Sequence, residues 1–206
     1  KLGIEKLYDY LDKYGFGKLT GIDLQGEQNP GLRKKGTWNV VDLVTTTFGQ
    51  GIAVTPIQMI KAMSAIANGG RPVKPLVVSK IIKEGWEDKI KAEIDEPVIS
   101  KKAASEITAM MKAAVKEGEA KWAVPKGYSI AGKTGTAQIP VAGHYDQTKT
   151  IASFIGFAPA ENPKFIMLVS LREPQTSQWG SETAAPLWFD IARDLFPYLG
   201  IQPQNE

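Results

Sequence analysis

No cysteine occurs in the 206 residues. That excludes a disulfide framework, a thiolate nucleophile, thiolate zinc ligation and iron–sulfur clusters. It leaves the compartment open, because exported proteins can also lack cysteine. Histidine occurs once, as His144 in the run VAGHYDQ. Zinc needs several ligands, and no cysteine or second histidine is there to share the ion. No metal or cofactor site is therefore expected. His144 reads as a surface-loop residue, and nothing sets it beside a serine as the base of a charge-relay triad. Long apolar runs are missing as well: none approaches the roughly 18 residues of a membrane helix. The opening KLGIEKLYDYLDKYGFG has no basic head, apolar core and small-residue cleavage site of a signal peptide. Its helix begins uncapped, as though in the middle of a longer chain.

Charge of one sign is absent too. Net charge is +3, and the densest basic clusters, Arg33-Lys34-Lys35 and Lys101-Lys102, are too short for a nucleic-acid footprint. No nucleic-acid partner is expected. Asp23 and Glu27 lie in a turn segment, with no sign of the facing pair that glycoside hydrolysis requires. The five tryptophans are dispersed rather than clustered as a stacking platform, so core or loop anchors are expected.

With 43% hydrophobic and 23% charged residues the chain is globular in composition. Residues 3–14 read as an amphipathic helix (Leu7, Tyr10, Leu11, Tyr14) stopped by Gly15 and Gly17. Residues 20–36 are turn-rich, punctuated by Asn29-Pro30-Gly31, and Trp38–Phe48 reads as partly helical. Thr55 caps a helix with Pro56 in its first turn, a buried stripe of Ile57, Ile60, Met63 and Ala67, and Asn68-Gly69-Gly70 at its end. PLVVSKII (75–82) reads as a strand and KEGWEDKIKAEIDEP (83–97) as a polar excursion. Ser100 caps a helix through about Lys116, with Ile107, Met110, Met111 and Val115 inward and Gly118 as stop. Three strands follow, YSIAGKTGTAQI, TIASFIGFAP and KFIMLVSL, with connections short enough for an antiparallel meander. TAAPLWFDIARDLFPYLGI closes the chain as a helix facing inward through Trp188, Phe189, Ile191 and Leu195. The expected fold is α+β, an antiparallel sheet flanked by helices, with no linker dividing residues 1–206.

The sharpest motif is Gly132-Lys133-Thr134-Gly135-Thr136. With Gly127 it satisfies the phosphate-loop pattern G-x-x-x-x-G-K-[ST] letter for letter. That loop, however, needs a strand before the first glycine and a helix opening at Lys-Thr, so that phosphates sit on free N–H groups. Trp122-Ala123-Val124-Pro125-Lys126 is no strand, and Gly135-Thr136-Ala137-Gln138-Ile139-Pro140 opens no helix. The competing reading lays Lys-Thr-Gly along a strand. Lys133 and Gly135 then point to one face, and Thr134 and Thr136 to the other. Such an edge strand can pair with a peptide, while its hydroxyls hold a carboxylate. Lys-Thr-Gly is the third element of the S-x-x-K, S-x-N, K-T-G set of penicillin-binding serine acyl-transferases.

The blocks FGQGIAVTPIQMIKAMSAIANGG, AGKTGTAQ and IASFIGFAPAENPKFIMLVSLREP, in this order, resemble the C-terminal half of the class B penicillin-binding transpeptidase domain, leaning toward the division-type enzymes. The resemblance covers essentially the whole chain and implies a partial penicillin-binding, serine β-lactamase-like fold. It further implies a D,D-transpeptidase: a serine attacks the penultimate D-alanine of a peptidoglycan stem peptide, D-alanine leaves, and a neighbouring amine takes the acyl group. β-Lactams trap the same acyl-enzyme. Carried over, Lys133 holds the electrostatic and proton-relay position facing the serine. Thr134 and Thr136 give hydroxyls to the substrate or drug carboxylate, and Thr136 gives its N–H to the oxyanion. Gly135 leaves room for the ligand backbone, and Ala137 and Gln138 continue the pairing strand. Tyr145 is expected near the mouth of the cleft. Ser177-Gln178-Trp179-Gly180 stands where the family has a Tyr-Gly-Gly-like turn.

The departure is large. No S-x-x-K or S-x-N occurs; Ser129 lies four residues before Lys133, at the wrong offset. The expectation is a chain without its nucleophile, inactive alone and with an open sheet edge. Its partners would be the N-terminal half of its own domain, stem peptides, β-lactams and the cell-wall synthesis machinery, at the outer face of the cytoplasmic membrane. A non-catalytic stem-peptide or penicillin-binding module is the alternative. A β-lactamase would need the same missing serine plus a deacylating base.

Overall fold

The computed structural model describes residues 2–141 and 144–204. Its fold is α+β, with antiparallel sheets flanked by helices. The chain forms two compact units, residues 1–104 and 105–206.

In the first unit, α1 (Gly3–Lys13) carries an exposed acidic side, where Glu5 and Asp9 pair with Lys35. Gly15 and Gly17 follow it with positive φ. α2 (Val40–Thr47) opens on Asn39, whose side chain accepts from the Asp42 N–H while the Asp42 carboxylate accepts from the Asn39 N–H. α3 (Pro56–Ala67) starts the same way, through Thr55 and Gln58. Its buried residues differ from the expected stripe. Met63 is buried, but Ile57, Ile60 and Ala67 are only half-buried, and Gln58, Ala62, Ser64 and Ala65 take the interior. Gln58 is tolerated there because its amide donates to the Lys18 carbonyl at 2.7 Å, after closing the cap. Gly70, at φ +105°, leaves a gap that a Cβ could not use, since that atom would lie 2.1 Å from the Ile99 carbonyl oxygen.

The expected strand at 75–82 is shorter and later. β1 (Lys80–Lys83) pairs with β2 (Trp86–Lys89), which falls inside the supposed polar excursion. Every residue of this hairpin is exposed, so it carries no in–out alternation to read.

Two carboxylates organise the turn-rich stretch. Asp23 accepts from the N–H groups of Val77 and Val78 at 2.7 and 2.8 Å, and these bonds hold its pKa below the ordinary value. Glu27 accepts from the Thr20 N–H and hydroxyl, both at 2.6 Å, and from the Gly21 N–H at 3.1 Å. Burial opposes its ionisation, but these bonds outweigh burial and leave its pKa lowered. Thr20 is buried, so Glu27→Ala leaves buried donors unpaired and is expected to cost about 1–3 kcal/mol in urea unfolding at pH 7. A lowered folded pKa contributes stability that is complete above the unfolded value, about 4.3, and is lost as pH falls through the folded one. The gap between wild type and Glu27→Ala should therefore close below about pH 4. A gap unchanged down to pH 3 would contradict this.

α4 (Lys101–Glu117) is capped by Ser100, whose hydroxyl accepts from the Ala103 N–H at 3.1 Å, and the boundary between the units falls within it. Met111 and Val115 are buried and Ile107 half-buried, but Met110 is 68% exposed and Ala104 takes the interior instead.

In the second unit, a short 3-10 turn (Lys121–Ala123) leads to β3 (Ala131–Val141), β4 (His144–Ala158) and β5 (Phe165–Arg172). They form the expected antiparallel meander, in the order β3-β4-β5. α5 (Ala184–Tyr198) packs on the sheet through Ala185, Trp188, Phe189, Ala192 and Phe196. Ile191 is exposed and Leu195 half-buried; Phe196 lies on the 3.6-residue stripe and they do not. Trp188, fully buried, sits 5.2 Å from the Phe154 ring and 5.5 Å from Phe189, and its indole N–H donates to the Met167 carbonyl. Trp188→Ala is expected to cost about 3–5 kcal/mol, read as a lower urea midpoint. Trp188→Phe, which keeps a ring, should cost clearly less. Of the other tryptophans, Trp38 is half-buried, its indole N–H donating to the Arg33 carbonyl and its ring 5.6 Å from Tyr8, so it anchors a loop, whereas Trp86, Trp122 and Trp179 are at least half exposed.

Candidate active site

The Lys-Thr-Gly segment lies within β3, with Lys133 opposite Ile155, Thr134 opposite Phe154, Gly135 opposite Ser153 and Thr136 opposite Ala152. No helix opens at Lys133-Thr134, which removes the phosphate-loop reading. Among the described residues β3 has β4 on one side and no strand on the other, so its outward N–H and C=O groups, about half of the total, have no ladder partner in the sheet. Pro140, which cannot donate to a ladder, sits where the register shifts beyond Gln138.

Alternation along β3 puts Lys133 and Gly135 on one face and Thr134 and Thr136 on the other. A Cβ on Gly135 would stand 2.6 Å from the Ser153 hydroxyl oxygen. A side chain here would have to push the Ser153 hydroxyl aside, a crowding separate from any ligand. Gly132 is required by the Phe154 ring, 2.4 Å from the position of a Cβ. The Lys133 side chain is exposed, and its ammonium donates to the Thr134 carbonyl at 3.0 Å and hydroxyl at 3.3 Å. Thr136 is half-buried, and its hydroxyl accepts from the Gly180 N–H at 3.0 Å. That last contact joins residues far apart in sequence, and nothing in the sequence pattern announces it. Ala137 and Gln138 continue the strand, both half-buried. A cavity of about 300 Å³ opens beside Lys133 and Thr134, walled by Val115, Glu119, Phe154 and Phe189.

The hairpin joining β3 and β4 departs from the expected loop. His144 and Tyr145 are exposed strand residues, opposite Val141 and Pro140. Ala142 and Gly143 of the same run lie outside the described residues. Among the described residues no cluster of three or more His, Asp or Glu side chains could hold a metal. None of their helices is long and apolar enough to cross a membrane.

This geometry, a K-T-G edge strand on a three-stranded sheet backed by a C-terminal helix, meets a known pattern. The family model described as penicillin binding protein transpeptidase domain matches residues 1–196. The chain belongs to this family. It is 40% identical to the stage V sporulation protein D of Bacillus subtilis, across 100% of this chain and 32% of that protein. Identity to the peptidoglycan D,D-transpeptidase FtsI of Buchnera aphidicola is 36%, over 97% of this chain and 34% of that one. Among solved structures, penicillin binding protein 3 of Mycobacterium tuberculosis complexed with ampicillin superposes with a TM-score of 0.89 at 30% identity. That match covers 99% of this chain and 48% of the other. The chain thus spans about a third of the length of the curated relatives it matches.

Proposed function

We propose that this chain is the K-T-G side of a peptidoglycan D,D-transpeptidase site, working with a serine carried outside these 206 residues. The observation that carries the reading is the edge position of β3, which presents Lys133, Thr134 and Thr136 on a strand open to pairing. An extended D-Ala-D-Ala peptide, or the β-lactam that mimics it, pairs with this edge along Gly135, Thr136, Ala137 and Gln138. Its terminal carboxylate accepts from the Thr134 and Thr136 hydroxyls. The missing serine adds to the penultimate carbonyl carbon, the oxyanion receives the Thr136 N–H, and D-alanine leaves with a proton. An amine of a second stem peptide then displaces the serine. The Lys133 ammonium supplies positive charge beside the serine and relays its proton. Removing one oxyanion donor of this kind typically lowers the rate about 100–1000-fold. The location proposed for the longer protein is the outer face of the cytoplasmic membrane, where stem peptides are joined.

The test is release of D-alanine from a peptide ending in D-Ala-D-Ala by the longer protein that contains this chain. Release abolished by ampicillin supports the reading. Reversible peptide binding with neither release nor a covalent adduct would replace it by the non-catalytic module.

A further inference from the structure

The turn Ser177–Gly180, between β5 and α5, is held against the sheet by contacts to β4 and to the Lys-Thr-Gly strand. At one end the buried Thr150 hydroxyl donates to the Gln178 carbonyl at 2.9 Å. At the other, Gly180 lies so close to the sheet that a Cβ would stand 2.4 Å from the Gly135 carbonyl oxygen and 2.6 Å from that of Ser153. Within the turn the Thr183 hydroxyl donates to the Trp179 carbonyl at 2.7 Å. So held, the Gly180 N–H donates to the Thr136 hydroxyl oxygen at 3.0 Å.

A threonine hydroxyl has one proton and two acceptor lone pairs. With the Gly180 N–H on one lone pair, the Thr136 proton is directed away from Gly180. Among the described residues none accepts that proton. Thr134 is arranged alike, its hydroxyl oxygen accepting from the Lys133 ammonium at 3.3 Å. The two hydroxyls stand two residues apart on one face of β3, a separation of about 6.5–7 Å. Each is engaged as an acceptor and left as a donor. The group that suits two such donors offers two equivalent charged acceptor oxygens, which describes an ionised carboxylate; an ester accepts more weakly and through unlike oxygens, and a primary amide brings donors of its own.

We propose that Gly180 is a positioning residue for carboxylate recognition, its N–H fixing the Thr136 hydroxyl so that the proton is presented to the ligand's carboxylate. This rests on the transpeptidase reading and adds to it the element that sets the preference for a free acid. Gly180 itself touches no substrate; it acts through Thr136.

The experiment uses the longer protein that supplies the serine. Its second-order acylation rate is measured with benzylpenicillin and with benzylpenicillin methyl ester. Two variants perturb the turn differently. Gly180→Ala forces it off the sheet, and Thr150→Val drops one anchoring bond at nearly constant volume, protecting the test against a Gly180→Ala protein that does not fold. The acid-over-ester preference is expected to fall roughly 10-fold in Gly180→Ala, the value of one hydrogen bond to a charged group, and by a smaller factor in Thr150→Val. Thr136→Val should lose the preference to the same extent, with Gly180→Ala adding nothing on top of it. Equal losses for acid and ester, or an unchanged preference in both variants, would leave Gly180 a purely structural residue and overturn the inference alone. An unchanged protein that is acylated by neither compound would overturn the transpeptidase reading and this inference with it.

Discussion

A polypeptide limited to these 206 residues is expected to form no covalent adduct with benzylpenicillin, whatever the concentration or incubation time. The family's acyl transfer needs a serine activated by a nearby base, and losing such a nucleophile costs on the order of a millionfold. None of the nine serines is followed by lysine at the third position. The structure gives several of them other work. Ser64 accepts from the Val73 N–H and donates to the Lys61 carbonyl. Ser100 caps α4, and Ser129, which precedes β3 rather than lying on it, donates to Glu161. Ser181 is buried and donates to Glu119. The Lys133 ammonium is hydrogen-bonded to Thr134 and to no serine. Intact-protein mass spectrometry reads the outcome directly: the mass should stay unshifted, and a stoichiometric gain of one penicillin would show that a serine of this chain is the nucleophile.

The second large effect belongs to Lys133 in the longer protein. Lys133→Ala is expected to slow acylation by about 100- to 10,000-fold, the range over which a positioned proton-transfer group contributes. The lysine is exposed at the strand edge beside a cavity, and its removal opens no hole in the core. The folded-state midpoint in urea should therefore change little while the rate collapses. This split between activity and stability separates a chemical role from a packing one. Thr134→Ala serves as the comparison: it removes a carboxylate donor, should weaken acid-bearing ligands about 10-fold, and leaves the ammonium in place. A Lys133→Ala protein acylated at the normal rate would remove the lysine from the chemistry.

Much of this arrangement is legible in the residues, and the failures have definite causes. The start of α3 is written in Thr55-Pro56, because a hydroxyl cap accepts from a donor that the first turn leaves open and a proline there removes another. The meander is written in three β-branched and aromatic runs with short joints. By contrast, β2 is a polar strand in a fully exposed hairpin, where no burial imprints a period. Ile191 and Met110 read as inward residues of their helices, and both are exposed. Helical phase instead gives those places to Phe196 and Ala104. Gln58 is buried because its amide closes a cap and reaches the Lys18 carbonyl, a partner 40 residues away. The same limit governs the site. Lys133, Thr134 and Thr136 announce themselves by sequence spacing, but the bond from Gly180 to Thr136 is made by a backbone N–H, which every residue except proline possesses.

The central claim is that the open edge of β3 receives the ligand and that its two threonine hydroxyls receive the carboxylate. A crystal structure of the longer protein acylated by ampicillin tests it most directly. The account predicts the drug extended along Gly135–Gln138, with its carboxylate oxygens at about 2.5–3.0 Å from the Thr134 and Thr136 hydroxyl oxygens. The Gly180 N–H should still lie on Thr136, and the ester carbonyl should point at the Thr136 N–H. A drug bound with its carboxylate away from both threonines, or with the β3 edge left unpaired, would contradict it.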